Sequence, residues 1–121
     1  MKRKNIAIVG CGFVSQQCHL PSFSSLDDVK LFAVCDPVKD LRDRIAKRYQ
    51  IKYQFDSHLS LLDMKDIDGI VVTLPRRLSY QVISDLIPLG VPILTEKPLC
   101  LNSINAQKII QKSIKYKSYI K

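Results

Sequence analysis

No run in this chain approaches the roughly 20 consecutive apolar residues of a membrane span. The opening "MKRKNIAIVG" has basic residues but neither the apolar segment nor the small-residue cleavage site of a secretory signal. The pattern argues against a membrane or secreted protein, and a cytoplasmic location is expected. No CxxC pair occurs: the cysteines stand at 11, 18, 35 and 100, in none of the spacings of a zinc site. In a reducing cytosol they are expected as small buried apolar residues, and no metal is expected. Internal repeats, low-complexity tracts and Gly/Ser linkers are missing too, so nothing divides the 121 residues, a length that allows one domain with one core.

Acid is missing from residues 97–121, which hold six lysines, whereas residues 1–96 hold 13 Lys and Arg against 11 Asp and Glu. The net charge of +8 therefore belongs mainly to the C-terminal segment, where Lys108, Lys112, Lys115, Lys117 and Lys121 interleave with Ile109, Ile110 and Ile114. Lysines at that spacing read as the solvated face of a helix. No helix-turn-helix, zinc-finger or RNP-like pattern accompanies them, and nucleic acid is not expected as a partner.

What is present is an alternation. Ile6 to Val9, Leu31 to Cys35, Gly69 to Leu74 and Val91 to Thr95 are short continuous apolar runs, the signature of strands buried on both faces, with a weaker strand around Ile51 to Gln54. Between them lie helical patterns: Phe13 to Phe23, ended or bent by Pro21; a helix with Leu41, Ile45 and Ala46 on one face; a short one containing Leu59, Leu61 and Leu62, capped by Asp56 or Ser57; Ser79 to Leu89, stopped by Gly90; and one from Asn102 or Ser103 to Tyr116. The closing "KSYIK" resembles the start of a further strand. Strands alternating with helices across short loops call for a parallel sheet covered on both faces, and right-handed crossovers make it a doubly wound, Rossmann-type α/β fold.

The first strand runs straight into "GCGFVS". In a dinucleotide-binding turn the first glycine permits the tight bend, the second lets backbone approach a pyrophosphate, and the third position lets helix and strand pack closely. Gly10 and Gly12 fill the first two places and Ser15 the third, where the strict pattern asks for Gly or Ala. Gly10, Gly12, Phe13 and Val14 are the candidate cofactor contacts in this turn. Free amides at the helix start and its positive dipole end would stabilise the diphosphate. Asp36, at the end of the second strand, would accept hydrogen bonds from the adenosine ribose and repel a 2′-phosphate, which favours NAD over NADP, although Lys39 or Arg42 could soften that preference. Its plainer role is a turn or helix cap before Pro37.

Taken in order and at these distances, "GCGFVS", "AVCDP", "VVTLP" and "ILTEKPL" resemble the N-terminal half of the glucose-fructose oxidoreductase, inositol dehydrogenase and rhizopine-catabolism (Gfo/Idh/MocA) family, over about residues 6–110. The resemblance implies a nicotinamide-dependent oxidoreductase acting on a sugar, cyclitol or related polyol, with hydride passing between a carbinol carbon and the nicotinamide C4. It implies that Lys97 reaches the reacting oxygen, that Glu96 lies at the nicotinamide end of the pocket, that Pro98 fixes the turn, and that Thr73 and Pro75 line the cleft. Where the family often carries a histidine, four residues after Pro75, this chain has Ser79. His19 is expected to serve packing near the first helix, and His58 to lie on the surface at a helix start.

Family members continue into a second α/β domain that covers the cleft. Residues 1–121 are thus expected as the NAD(P)-binding domain alone, ending near the start of its sixth strand and inactive until a second domain is supplied. The alternative is a non-catalytic NAD-binding or interaction module that pairs with another chain, a complementing one or a second copy. On that reading Glu96 and Lys97 are a solvated pair worth under about 1 kcal/mol.

Overall fold

The computed structural model of the protein describes residues 2–97 and 102–121. Five strands form one sheet: β1 (Lys4–Val9), β2 (Val29–Cys35), β3 (Tyr53–Phe55), β4 (Gly69–Val72) and β5 (Ile93–Thr95). Their order is β3-β2-β1-β4-β5 and every pairing is parallel. A parallel sheet must be covered on both sides, and alternate residues of each strand do so by facing opposite ways. Ala7, Val9, Ile70 and Val72 enter one core with Ile83, Leu86 and Ile109; Ile8, Val34 and Val71 enter the other with Leu20, Ile45 and Ala46. Burying one such side chain as completely as Ile8 is buried contributes about 1.5–3 kcal/mol.

The helices are α1 (Leu20–Ser24), α2 (Lys39–Tyr49), α3 (Arg76–Leu86) and α4 (Ser103–Tyr116). Pro21 does not end the first helical segment. It sits in the first turn of α1 and is preceded by a widened π turn over Ser15–His19, in which the Leu20 amide donates to the Ser15 carbonyl five residues back. Proline has no N–H to continue the ladder, and the wider turn accommodates the skipped bond. The run expected over Gly69 to Leu74 stops at Val72, so Thr73 and Leu74 are loop, and α3 starts at Arg76 rather than Ser79, directly after Pro75. Ser79 is consequently inside the helix and buried. β3 begins at Tyr53 because Gln50 turns into the left-handed region (φ 56°) and Ile51 is tied to Ala46 by its amide.

Ser57 caps the turn His58–Asp63 by accepting the Leu59 amide, and Asn102 caps α4 by accepting the Asn105 amide. Gly90 closes the turn Ile87–Leu89 at φ 68°. The "KSYIK" tail continues the sheet beyond β5: Ile120 pairs in parallel with Ile93, through Ile93 N–H to Tyr119 O at 2.8 Å and Lys121 N–H to Ile93 O at 2.9 Å. Among the described residues no helix is long and apolar enough to cross a membrane.

Candidate functional site

The strand order reverses between β1 and β4, and ligands of open parallel sheets bind beyond the carboxyl ends of the strands at such a switch point. The glycine turn lies there, and its two glycines do different jobs. Gly10 has φ +101°, and a Cβ on it would stand 2.3 Å from the Thr73 carbonyl oxygen. Thr73 locks the contact, its amide donating to Val9 O at 2.9 Å and its hydroxyl to Gly10 O at 3.1 Å. Gly10 is therefore required by the fold. Gly12 is not: among the described residues, its chain neighbours aside, a Cβ there would meet no atom within 4 Å. Phe13 (77% exposed) and Val14, the next residues, are both exposed and line the same cleft. Ser15, at the third position, is fully buried, and its hydroxyl has no partner among the described residues.

Asp36 follows β2 and braces the same turn. One carboxylate oxygen accepts the Cys11 amide at 2.9 Å and the other accepts the Val38 amide at 2.8 Å. The second bond is the turn-capping role anticipated for a residue before Pro37; the first reaches across to the glycine turn. An ionised carboxylate has about four acceptor sites, so capacity for further donors is left. The two cations nearby are engaged: Arg42 donates to the Asp36 carbonyl oxygen at 2.7 Å, and Lys39 pairs with Asp43 at 2.7 Å, which lowers the Asp43 pKa. A cavity of about 260 Å³ opens beside Asp36, lined by Val9, Pro37, His58, Leu78 and Val82 among others.

The main cleft, about 450 Å³, is lined by Gly12, Phe13, Val14, Thr73, Leu74, Pro75, Arg76, Glu96 and Lys97. The sequence-expected residues of the glycine turn, the loop after β4 and the lip of β5 thus share one space. Lys97 is exposed at its rim and forms no ion pair among the described residues. Pro98 lies outside the described residues. Asp36 stands apart, in the neighbouring cavity. A groove of about 470 Å³ between α4 and the tail is lined by Ile110, Ile114, Tyr119 and others. Its two serine hydroxyls, Ser113 and Ser118, are spent on the Ile110 and Val91 carbonyls, which leaves Lys117 and Tyr119 as the other polar side chains in a lining made mainly of isoleucine.

Three expectations are corrected. His19 is not only a packing residue: its Nε2 donates to Glu96 Oε1 at 2.7 Å, tying the segment after the glycine turn to the lip of β5, with the imidazole only 17% exposed. A carboxylate only accepts, so the proton is on Nε2. His58 is not a free surface residue, because its ring, largely buried, bonds Asp85 at 2.9 Å. Cys18 is exposed, because the inward face of the π turn is taken by Ser15. Cys11 and Cys35 are buried as expected, and burial, assisted by neighbouring negative charge, pushes both thiols up to about 12. Cys100 lies outside the described residues.

Arg76 and the His19–Glu96 bond escaped the sequence reading. The arginine pair directly after the β4 proline, and a histidine four residues beyond Ser15, were the available signals.

A family model for the GFO_IDH_MocA oxidoreductases, described as an oxidoreductase family with an NAD-binding Rossmann fold, matches residues 4–119. The chain belongs to this family. Among GFO_IDH_MocA relatives, the rhizopine catabolism protein MocA of Rhizobium meliloti is 25% identical over 120 residues, covering 99% of this chain and 37% of that protein. Two solved structures share the fold. Scyllo-inositol dehydrogenase from Lactobacillus casei, with bound NAD(H) and scyllo-inositol, superposes with a TM-score of 0.88 at 21% identity, over 98% of this chain and 36% of that one. The 3-ketoreductase KijD10 from Actinomadura kijaniata, in complex with TDP-benzene and NADP, gives 0.87 at 21%, over 95% and 36%. The chain thus spans about a third of the length of the relatives it matches.

Proposed function

We propose that residues 1–121 are the cofactor-binding domain of a nicotinamide-dependent oxidoreductase that acts on a sugar, cyclitol or related polyol. The observation that carries the reading is the contrast between the two glycines. Gly10 is demanded by protein packing, whereas in front of Gly12 no atom of the described residues beyond its chain neighbours comes within 4 Å of where a Cβ would stand. Clear space beside helix-start amides fits a diphosphate oxygen, which must come within about 3 Å of the backbone nitrogen.

In this account Gly10 shapes the turn, and Gly12, Phe13 and Val14 present backbone to the diphosphate. Asp36 accepts the adenosine ribose hydroxyls. Thr73 and Pro75 form one wall, with Glu96 and Lys97 on the other and Pro98 following. When bound, the nicotinamide ring supplies the carbon that accepts or returns hydride. Lys97 donates a hydrogen bond to the reacting oxygen of the substrate and stabilises its alkoxide character. Its exposed position at the rim suits a group that works once a second domain or a complementing chain closes over it. His19 keeps Glu96 anchored beside it.

NAD is preferred over NADP, because the Asp36 carboxylate repels a 2′-phosphate, while Lys39 is paired with Asp43 and Arg42 donates to the Asp36 carbonyl oxygen. The relatives include proteins holding either cofactor, NAD(H) in scyllo-inositol dehydrogenase and NADP in KijD10, so the preference rests on this chain's own residues. The second reading, a non-catalytic module that binds NAD and pairs with another chain, has one observation in its favour: α4 and the tail expose Ile110, Ile114 and Tyr119.

Titration calorimetry of the chain with NADH and NADPH tests the proposal. Saturable binding of NADH and weaker binding of NADPH are expected, and, in a separate assay supplied with NAD+, no oxidation of inositol or glucose by the chain alone. Absence of dinucleotide binding overturns the cofactor reading; unaided turnover overturns the need for a second domain.

A further inference from the structure

Arg76 is an exposed arginine at the first position of α3, and it lines the main cleft together with Gly12 and Lys97. Among the described residues no acidic side chain forms an ion pair with it. The one carboxylate in the cleft lining, Glu96, is held by His19. The first turn of α3 contains no acidic residue, and its N-cap, Pro75, makes no side-chain hydrogen bond. The cleft wall therefore carries two cations, Arg76 and Lys97, against one carboxylate that already has a partner. A planar guanidinium with no partner among the described residues is suited to bidentate contact with a phosphate or carboxylate.

We infer that Arg76 is an oxyanion-binding side chain of the cleft, adding a full positive charge to the partial charges of the backbone amides. The inference deepens the cofactor-domain reading and rests on it. Its ligand chemistry is a phosphate or carboxylate oxygen, and two sources offer one: the diphosphate of the dinucleotide, or an acidic group on the polyol substrate, such as a sugar acid. A cofactor 2′-phosphate is a poor candidate, since it would lie beside Asp36, in the neighbouring cavity, whose lining does not include Arg76. Arg77, the next residue, is exposed and lines neither cavity, which makes it an internal control for bulk charge.

The test measures affinity of the chain for ADP-ribose by calorimetry, and for D-glucuronate in the presence of saturating NADH by ligand-observed NMR, in wild type, Arg76→Gln, Arg76→Lys and Arg77→Gln. A loss of about tenfold is expected in Arg76→Gln, the size of one charge-assisted hydrogen bond. It should be partly restored in Arg76→Lys and reach less than about twofold in Arg77→Gln, where only a screened distant charge is removed. A loss confined to ADP-ribose assigns the dinucleotide diphosphate; a loss confined to D-glucuronate assigns a substrate carboxylate. If wild type binds and Arg76→Gln matches it on both ligands, or Arg77→Gln weakens binding equally, the inference is wrong while the cofactor reading stands. If wild type binds neither NADH nor ADP-ribose, the cofactor reading fails and takes this inference with it.

Discussion

Replacing each glycine of the turn by alanine should separate folding from binding. At Gly10 the added methyl would stand 2.3 Å from the carbonyl oxygen of Thr73, a residue whose amide is tied to Val9 O at the sheet end, on a backbone at φ +101°. A strained conformation of this kind costs about 1–3 kcal/mol for a non-glycine residue. The clash forces the β1 and β4 ends apart as well, so about 3 kcal/mol in total is reasonable. For a chain of this length that lowers Tm by about 10 °C. At Gly12 the methyl meets nothing within 4 Å, and φ is not in the left-handed region, so Tm should stay within about 2 °C of wild type. Binding should reverse the ranking. Gly12→Val, with a larger side chain in the same clear space, should weaken NADH by at least about tenfold while remaining as stable as Gly12→Ala. Differential scanning fluorimetry and NADH fluorescence titration read the two effects. A Gly10→Ala protein as stable as wild type would refute the packing argument. A Gly12→Val protein that binds NADH normally would refute the assignment of the open space to the cofactor.

Asp36→Ala removes the acceptor of two backbone amides, Cys11 and Val38, and should cost about 1–3 kcal/mol of stability as well as most NADH affinity; Asp36→Asn, which keeps one acceptor oxygen, should lose less of both, as denaturant titration will show. In a Cys100→Ser background a thiol reagent at pH 8 should modify Cys18 rapidly and Cys11 and Cys35 only after unfolding. Unfolded, those two thiols ionise near 9.0; folded, they hold their protons to about 12. Their contribution to stability is therefore fully present below pH 9 and lost as pH rises toward 12. Urea midpoints at pH 8 and pH 10.5 should fall less steeply in Cys11→Ala than in wild type.

The sheet was legible because continuous β-branched runs such as "GIVV" read as strands buried on both faces, and their alternation with helical patterns calls for a parallel layer. Element starts were less legible. A helix beginning at Arg76 violates the preference for acid in a first turn, so the periodic apolar residues from Val82 onward drew the expected boundary inward. The π turn before Pro21 has no sequence pattern of its own; it is what an α-helix does when a donor is missing. At the site, Gly10, Gly12, Asp36 and Lys97 were readable because each occupies a fixed offset from a strand end. The His19–Glu96 and His58–Asp85 bonds were not, because they join residues 77 and 27 apart whose proximity exists only once the sheet is assembled.

The central claim is that one ligand lies between the backbone around Gly12 and the Lys97 side chain. Amide and lysine-methylene NMR spectra recorded during titration with NADH test it most directly. Saturable shift changes are expected at Gly12, Phe13, Val14, Thr73 and Lys97, with α4 unperturbed. Shifts confined to α4 and the tail, or none at the glycine turn at saturation, would contradict it.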